Sequence, residues 1–251
     1  MSYYRQPPNR FQGPGGAQIG VPPLTPMVKT LMIICGAVWI VQFILSSLSW
    51  GAGLLESWLG VTPILVITRG MIWQPFTYMF LHSPVALSHI LLNMLFLYMF
   101  GGELERQWGS RAFLRYFLIC GTGAGVIVTL TGILSDVTAV RATIGASGAI
   151  YGLILAYGML FANRVILFMM FFPMKVRTFA WIAFGIAFLS ALGGPNSGVS
   201  HVAHLGGGLV GFLYLKRVWR FGEFYRELKW KLQRRKFKVM PPPDNQDPWV
   251  N

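Results

Sequence analysis

The stretch Thr143–Gly152, TIGASGAIYG, places a serine and three glycines inside a run that carries no charge between Arg141 and Arg164. A run of roughly 20 apolar residues is long enough to cross a bilayer. Small residues in such a run let two membrane helices approach closely. A serine held between glycines is equally suited to act as a nucleophile. The rest of the chain has to decide between these two interpretations.

The composition predicts a polytopic membrane protein. Of the 251 residues, 54% are hydrophobic and only 12% are charged, about half the charged fraction of a soluble domain. The net charge of +13 does not indicate a nucleic-acid partner, because the basic residues cluster at the ends of apolar segments and in the C-terminal tail. Cys35 and Cys120 lie in apolar stretches without a nearby cysteine or histidine, so neither a disulfide, a metal site nor another cofactor is predicted.

The apolar pattern predicts an all-α membrane protein with six transmembrane helices. The predicted spans are 28–49, 84–101, 112–134, 145–162, 178–193 and 200–216. Residues 50–83 are rich in aromatic side chains but contain no apolar 20-mer, which indicates a long loop in the outer interface between helices 1 and 2. The apolar segment 163–177 is charged at both ends and too short to span, so we expect it in the inner interface.

Lysine and arginine positions predict the orientation. With both termini in the cytoplasm, nearly every cation falls on the inner side, and a bacterial inner membrane is the expected location. Residues 1–26 hold six prolines and are expected to form a disordered cytoplasmic extension, followed by the membrane domain at 27–217. The basic tail 218–251 is predicted to form in part an amphipathic helix on anionic lipid; the alternative is a solvated extension that only sets the topology.

Polar side chains recur at similar depth in three predicted spans. All four histidines lie near the outer ends of spans two and six: His82, His89, His201 and His204. Ser147 precedes Arg164 by 17 positions, or roughly 25 Å of helix, which puts it near the outer surface as well. Ionisable residues inside a span usually mark a functional site. For any one of these residues alone, however, contact between helices is the better explanation, and only their combination favours a functional site.

Taken together, the motifs resemble those of the rhomboid family of intramembrane serine proteases. The family's three motifs G-x-S-G, A-H-x-x-G-x-x-x-G and H-x-x-x-N are found at Gly145–Gly148, at Ala203–Gly211 and at His89–Asn93. Segments 73–82 and 101–110 resemble family segments too, although Gln74 replaces an arginine that often follows the tryptophan. The resemblance covers roughly residues 28–217.

The resemblance implies a role for each matching residue. Ser147 would be the nucleophile and His204 its general base, with the ring of Tyr151 packed on the imidazole. His89, Asn93 and the backbone N–H of Ser147 would form the oxyanion hole. The glycines would let two helices come close enough for serine and histidine to meet; they are Gly145, Gly148 and Gly152 on one side and Gly207 and Gly211 on the other.

The function implied by the resemblance is hydrolysis of peptide bonds in or near the transmembrane segments of membrane-anchored proteins, close to the outer face. The expected partners are therefore transmembrane substrates and membrane lipids. The alternative is a non-catalytic rhomboid-like protein that binds client helices. An intact pair of Ser147 and His204 favours the protease, since a binding protein has no need for both.

Overall fold

The computed structural model describes residues 23–48, 51–134, 136–168, 172–192 and 200–216. The predictions for the N-terminal extension and for the amphipathic tail fall on residues 1–22 and 217–251, outside this described part. Within it the chain is mostly helical. A helix lies in each of the six predicted spans. The helices are numbered in chain order.

The first long helix, α1 (Pro26–Ser46), starts with a proline, whose missing N–H costs nothing in the first turn of a helix. Its first turn is hydrogen-bonded by a residue that is distant in sequence. The buried carboxylate of Glu105 accepts hydrogen bonds from the backbone N–H groups of Met27 and Val28, each at 2.9 Å. These contacts satisfy two donors that have no partner within the helix.

The predicted interfacial loop contains short helices. In order, they are α2 (Leu54–Leu59), α3 (Pro63–Thr68), α4 (Gln74–Thr77) and a 3-10 turn (Tyr78–Phe80). Gln74, which stands where the family often has arginine, is fully buried. Its side-chain oxygen accepts from the N–H of Thr62, and its amide nitrogen donates to the carbonyl of Ser57, both at 3.0 Å. The neutral amide of Gln74 therefore connects α4 to the end of α2 and the start of α3 within this loop.

The second long helix runs without a break from Leu87 to Trp108, so the predicted span 84–101 starts too early and ends too soon. It consists of α5 (Leu87–Phe96), a π-helical turn (Leu97–Gly101) and α6 (Gly102–Trp108). Gly109, with φ at +80°, separates it from α7 (Ser110–Gly132), which is followed by the short α8 (Asp136–Ala139). By length and composition, α1, this helix and α7 are able to cross a membrane.

The last part of the described chain holds α9 (Ser147–Leu160), α10 (Val176–Leu192) and α11 (201–216). Between α9 and α10 lies an antiparallel hairpin of β1 (Val165–Phe168) and β2 (Phe172–Lys175). The prediction of an all-α chain is thus wrong in this segment. Val165 and Ile166 are β-branched, which favours strands, and Pro173, paired with Leu167, is unsuited to a helix interior.

Candidate active site

Ser147 and His204 are brought together from two helices. Ser147 is the first residue of α9, and His204 lies in the first turn of α11. The serine Oγ lies 2.8 Å from Nε2 of the imidazole. If the hydroxyl donates to Nε2, the neutral imidazole carries its proton on Nδ1. This arrangement primes the hydroxyl to lose its proton to the ring.

The two helices cross at glycines, directly beside this pair. A Cβ placed on Gly207 would collide with the backbone carbonyl of Gly148. Gly148 is equally confined, because its own Cβ would lie 2.8 Å from the Cβ of Ala124 and 2.9 Å from the hydroxyl of Tyr78. Only hydrogen fits at these positions. The close backbone approach is what places Ser147 within hydrogen-bond distance of His204.

The imidazole of His204 is positioned by stacking. The ring of Tyr151 lies parallel to it, with 4.3 Å between centroids and 6° between planes. Within the described part of the chain, Nδ1 of His204 has no hydrogen-bond partner. The Tyr151 hydroxyl is turned towards α10, where it donates to the carbonyl of Ala183 at 3.4 Å. The aromatic face of Tyr151, one turn after Ser147, therefore orients the ring.

The segment that leads into Ser147 is anchored by the interfacial loop. Thr143 forms a two-way backbone bridge with Val61, at 2.9 and 3.0 Å, and Gly145 donates to the carbonyl of Tyr78 at 3.0 Å. Gly145 has φ at +120°, which side-chain-bearing residues rarely adopt. The interpretation of Gly145 as a helix-packing residue thus changes: it is the left-handed turn that enters α9.

His89 faces this turn. A Cβ on Gly145 would lie 2.6 Å from its Nε2. Its other ring nitrogen, Nδ1, accepts from the N–H of Ser83 at 3.3 Å. A neutral imidazole that accepts at Nδ1 carries its proton on Nε2. His89 therefore presents an N–H to the backbone just before Ser147.

Asn93 is less directly engaged. It lies one turn after His89 on the same face of α5, as the i, i+4 spacing predicts, and it is buried. Its Nδ2 donates to the backbone carbonyl of His89 at 2.7 Å. One of its two amide protons is thus bonded within its own helix, which leaves the second as the available donor.

The remaining predicted glycines pack on α7. A Cβ on Gly152 would lie 2.6 Å from Sγ of Cys120. A Cβ on Gly211 would collide with the hydroxyl of Tyr116, and that hydroxyl donates to the carbonyl of Gly152 at 2.8 Å. These two glycines therefore make room for a third helix. The direct contact between α9 and α11 is closest at Gly148 and Gly207, and Gly152 also takes part in it, since its Cβ would lie 3.3 Å from the carbonyl oxygen of Gly207.

Three further residues shape the site and were not assigned roles from sequence. Tyr78 anchors Gly145, Ser83 sets the tautomer of His89, and His82 lies edge-on to His89 with ring centroids 5.2 Å apart. Burial, and secondarily the neighbouring His89, lowers the pKa of His82 to about 4, so that it is neutral at neutral pH. The histidine cluster in the sequence pointed to His82; no pattern pointed to Ser83 or Tyr78.

No metal site is evident in the residues described here: they contain no group of three His, Cys, Asp or Glu side chains placed to hold an ion. The polar atoms that converge are the serine hydroxyl, two imidazoles and backbone N–H groups. This set is suited to acyl transfer, in which a nucleophile, a base and oxyanion donors are required.

Comparison with known proteins agrees with these motifs. A family model, described as the Rhomboid domain, matches residues 69–221. The chain is 32% identical to RHOMBOID-like protein 4 of Arabidopsis thaliana over 56% of its own length and 32% of that protein. It is 30% identical to the mitochondrial Rhomboid protein 1 of Saccharomyces cerevisiae over 50% of its own length and 36% of the relative.

A bacterial relative is similar over a larger share of its length. The chain is 28% identical to the Rhomboid protease GlpG of Haemophilus influenzae over 53% of its own length and 65% of that protein. It spans about a third of the plant and yeast relatives. The family model covers more than half of the chain, and the described helices are apolar and membrane-like. The chain is therefore an integral membrane protein that belongs to the rhomboid family.

Proposed function

We propose that this protein is an intramembrane serine endopeptidase in which Ser147 and His204 form the catalytic dyad. The observation that carries the proposal is the 2.8 Å contact between Ser147 Oγ and His204 Nε2. The contact joins residues 57 positions apart at a crossing where only glycine fits. A packing role alone does not need a hydroxyl and an imidazole at this point.

In the proposed reaction, Oγ of Ser147 attacks the carbonyl carbon of the scissile peptide bond while Nε2 of His204 takes its proton. The carbonyl π electrons move to the oxygen, which becomes an oxyanion. When the tetrahedral intermediate collapses, the C–N bond breaks and His204 delivers the proton to the leaving amine. Water then attacks the acyl ester while Nε2 of His204 takes a proton from it; the C–Oγ bond breaks, His204 returns the proton to Oγ of Ser147, and the carboxyl product leaves.

The oxyanion would be stabilised from two sides. The backbone N–H of Ser147 belongs to the first turn of α9, whose donors have no partner within the helix and lie at the positive end of its dipole. Nε2–H of His89 points at the adjacent Gly145. Asn93 would contribute its second amide proton. Removal of one such donor typically costs about 3 kcal/mol of transition-state stabilisation.

The proposed topology has six transmembrane helices, formed by α1, α5–α6, α7, α9, α10 and α11, with α2–α4 as the interfacial loop. Both termini are cytoplasmic, and Ser147 and His204 lie in the outer half of the membrane. The expected substrates are single-span membrane proteins cleaved near that face, and the expected location is a bacterial inner membrane. Support comes from the asymmetric distribution of lysine and arginine.

The test is a cleavage assay with the purified full-length chain and a model single-span substrate in detergent. Ser147→Ala and His204→Ala should each abolish cleavage while leaving thermal unfolding close to that of the parent. Thr138→Ala, a hydroxyl loss in α8 away from the dyad, serves as the control and should cleave normally. Cleavage by purified Ser147→Ala at the parental rate would eliminate the dyad, whereas absence of cleavage by the folded parent would favour the client-binding alternative.

A further inference from the structure

A cavity of about 420 Å³ opens between α9, α10 and α11. Its walls are almost entirely apolar. Leu155 on α9 and Phe212 on α11 lie eight positions beyond Ser147 and His204, or roughly 12 Å along each helix. In the proposed topology this end of the helices faces the inner leaflet, so the cavity extends from Leu205, next to His204, towards the inner leaflet.

One cation lines the apolar cavity, and a second lies against a ring that lines it. Arg177, in the first turn of α10, is the one charged residue among those that line it. Lys216, at the end of the described part of α11, holds its Nζ 4.7 Å from the ring centroid of Phe212, which also lines the cavity. Both side chains are exposed, and neither forms an ion pair with a described carboxylate. The site therefore combines an apolar interior with a lining arginine and a lysine on one of its lining rings.

We propose that this cavity binds an anionic glycerophospholipid of the inner leaflet, with an acyl chain between the helices and the phosphate held by Arg177 and Lys216. The volume lies in the range of small-molecule sites. It is too small for a second helix, whose diameter with side chains is about 10 Å. An arginine and a lysine beside an apolar slot match the charge and shape of a phospholipid.

An occupied cavity would also brace the dyad. Phe184 of α10 lines the cavity, and its ring lies edge-on to Tyr151 with 5.3 Å between centroids. Tyr151 in turn stacks on His204. A lipid that fills the space behind Phe184 holds α10 against this stack. This consequence depends on the proposed protease function, whereas lipid binding itself does not.

The binding test is native mass spectrometry of the purified full-length chain with added phosphatidylglycerol or phosphatidylcholine. The parent should retain phosphatidylglycerol at roughly 10-fold lower concentration than phosphatidylcholine. Arg177→Gln combined with Lys216→Gln should remove this preference. Arg111→Gln, an exposed arginine in the first turn of α7, is the matched control and should keep it. Leu155→Trp should reduce retention of both lipids by filling the cavity.

Equal phosphatidylglycerol retention in the double variant and in Arg111→Gln would overturn the headgroup assignment. Unchanged lipid retention in folded Leu155→Trp would overturn the cavity as the site. Phosphatidylglycerol should also stimulate cleavage by the parent but not by the double variant. If the folded parent does not cleave with or without lipid, the protease proposal fails while the binding measurements still decide the lipid site.

Discussion

The helix that carries Ser147 has two very different neighbours. Along α7, the contacts with α9 are close and made by small residues: Ala149 meets Gly121, and Gly152 meets Cys120. Ten residues of α7 are buried. Along α10, only Val176, Phe179 and Ala187 of the 17 residues are buried, and the contact with α9 includes the edge of Phe184 on Tyr151. Helix α7 is thus packed against α9 as in a protein core, whereas α10 contacts α9 through few buried residues.

The difference teaches which parts of the site are rigid. Catalytic groups have to be held by packed elements to keep their geometry, and both Ser147 and the crossing with α11 lie on the tightly packed side. The exposed apolar face of α10 includes Trp181 at 78% and Leu189 at 69%, surfaces suited to lipid. We expect substitutions on the packed side to affect chemistry strongly, and those towards α10 to have graded effects.

The largest effect is expected at the glycine crossing. Gly207→Ala forces a methyl group onto the carbonyl of Gly148, which moves the helices apart and separates Ser147 from His204. Loss of the base should lower cleavage on the order of 10³-fold, and overpacking should cost about 1–3 kcal/mol of stability. Gly185→Ala on α10, where a Cβ meets nothing within 4 Å, is the matched control. Comparable activities for the two variants, measured with their thermal unfolding, would refute the proposed crossing.

The next effect is expected at the turn into α9. Gly145→Ala places a methyl group against Nε2 of His89 and strains the backbone, so one oxyanion donor is displaced. Turnover should fall about 10²-fold with substrate affinity little changed. Gly53→Ala also has positive φ, at +75°, but a Cβ there meets nothing within 4 Å. It isolates backbone strain, and equal losses of kcat in both variants would mean that contact with His89 is irrelevant.

A smaller effect is expected at Tyr151, which lies towards the loosely packed side. Tyr151→Phe keeps the ring on His204 and removes only the long contact with Ala183, so its kcat should stay near that of the parent. Tyr151→Ala removes the stack and should lower kcat roughly 10-fold, the scale of one aromatic pair. Steady-state kinetics on the two variants decide the point. A defect in the phenylalanine variant equal to that in the alanine variant would assign the role to the hydroxyl.

Much of the architecture could be predicted from the residues. The six helical segments could be located because each is a long apolar run bounded by charges or turns. Ser147 and His204 could be paired because their motifs resemble those of a known family. A close approach of the two helices at Gly148 and Gly207 could be predicted as well, since close helix crossings need small residues.

Other features depend on contacts between distant segments. The tautomer of His89 is set by the backbone of Ser83, and any residue except proline would supply that N–H. Gly211 packs on Tyr116 of α7 rather than on α9, which spacing along one helix does not reveal. The hairpin at 165–175 was missed because a short apolar run of this length does not distinguish strand from helix. Each depends on tertiary neighbours that local patterns do not encode.

The central claim is that His204 makes the Ser147 hydroxyl nucleophilic. The direct measurement is covalent labelling of the purified chain with a fluorophosphonate, followed by peptide mass spectrometry to locate the adduct. We predict an adduct on Ser147 in the parent chain and in Gly185→Ala, and its loss in His204→Ala. An adduct on a different serine, or labelling of Ser147 at the same rate without His204, would contradict the account.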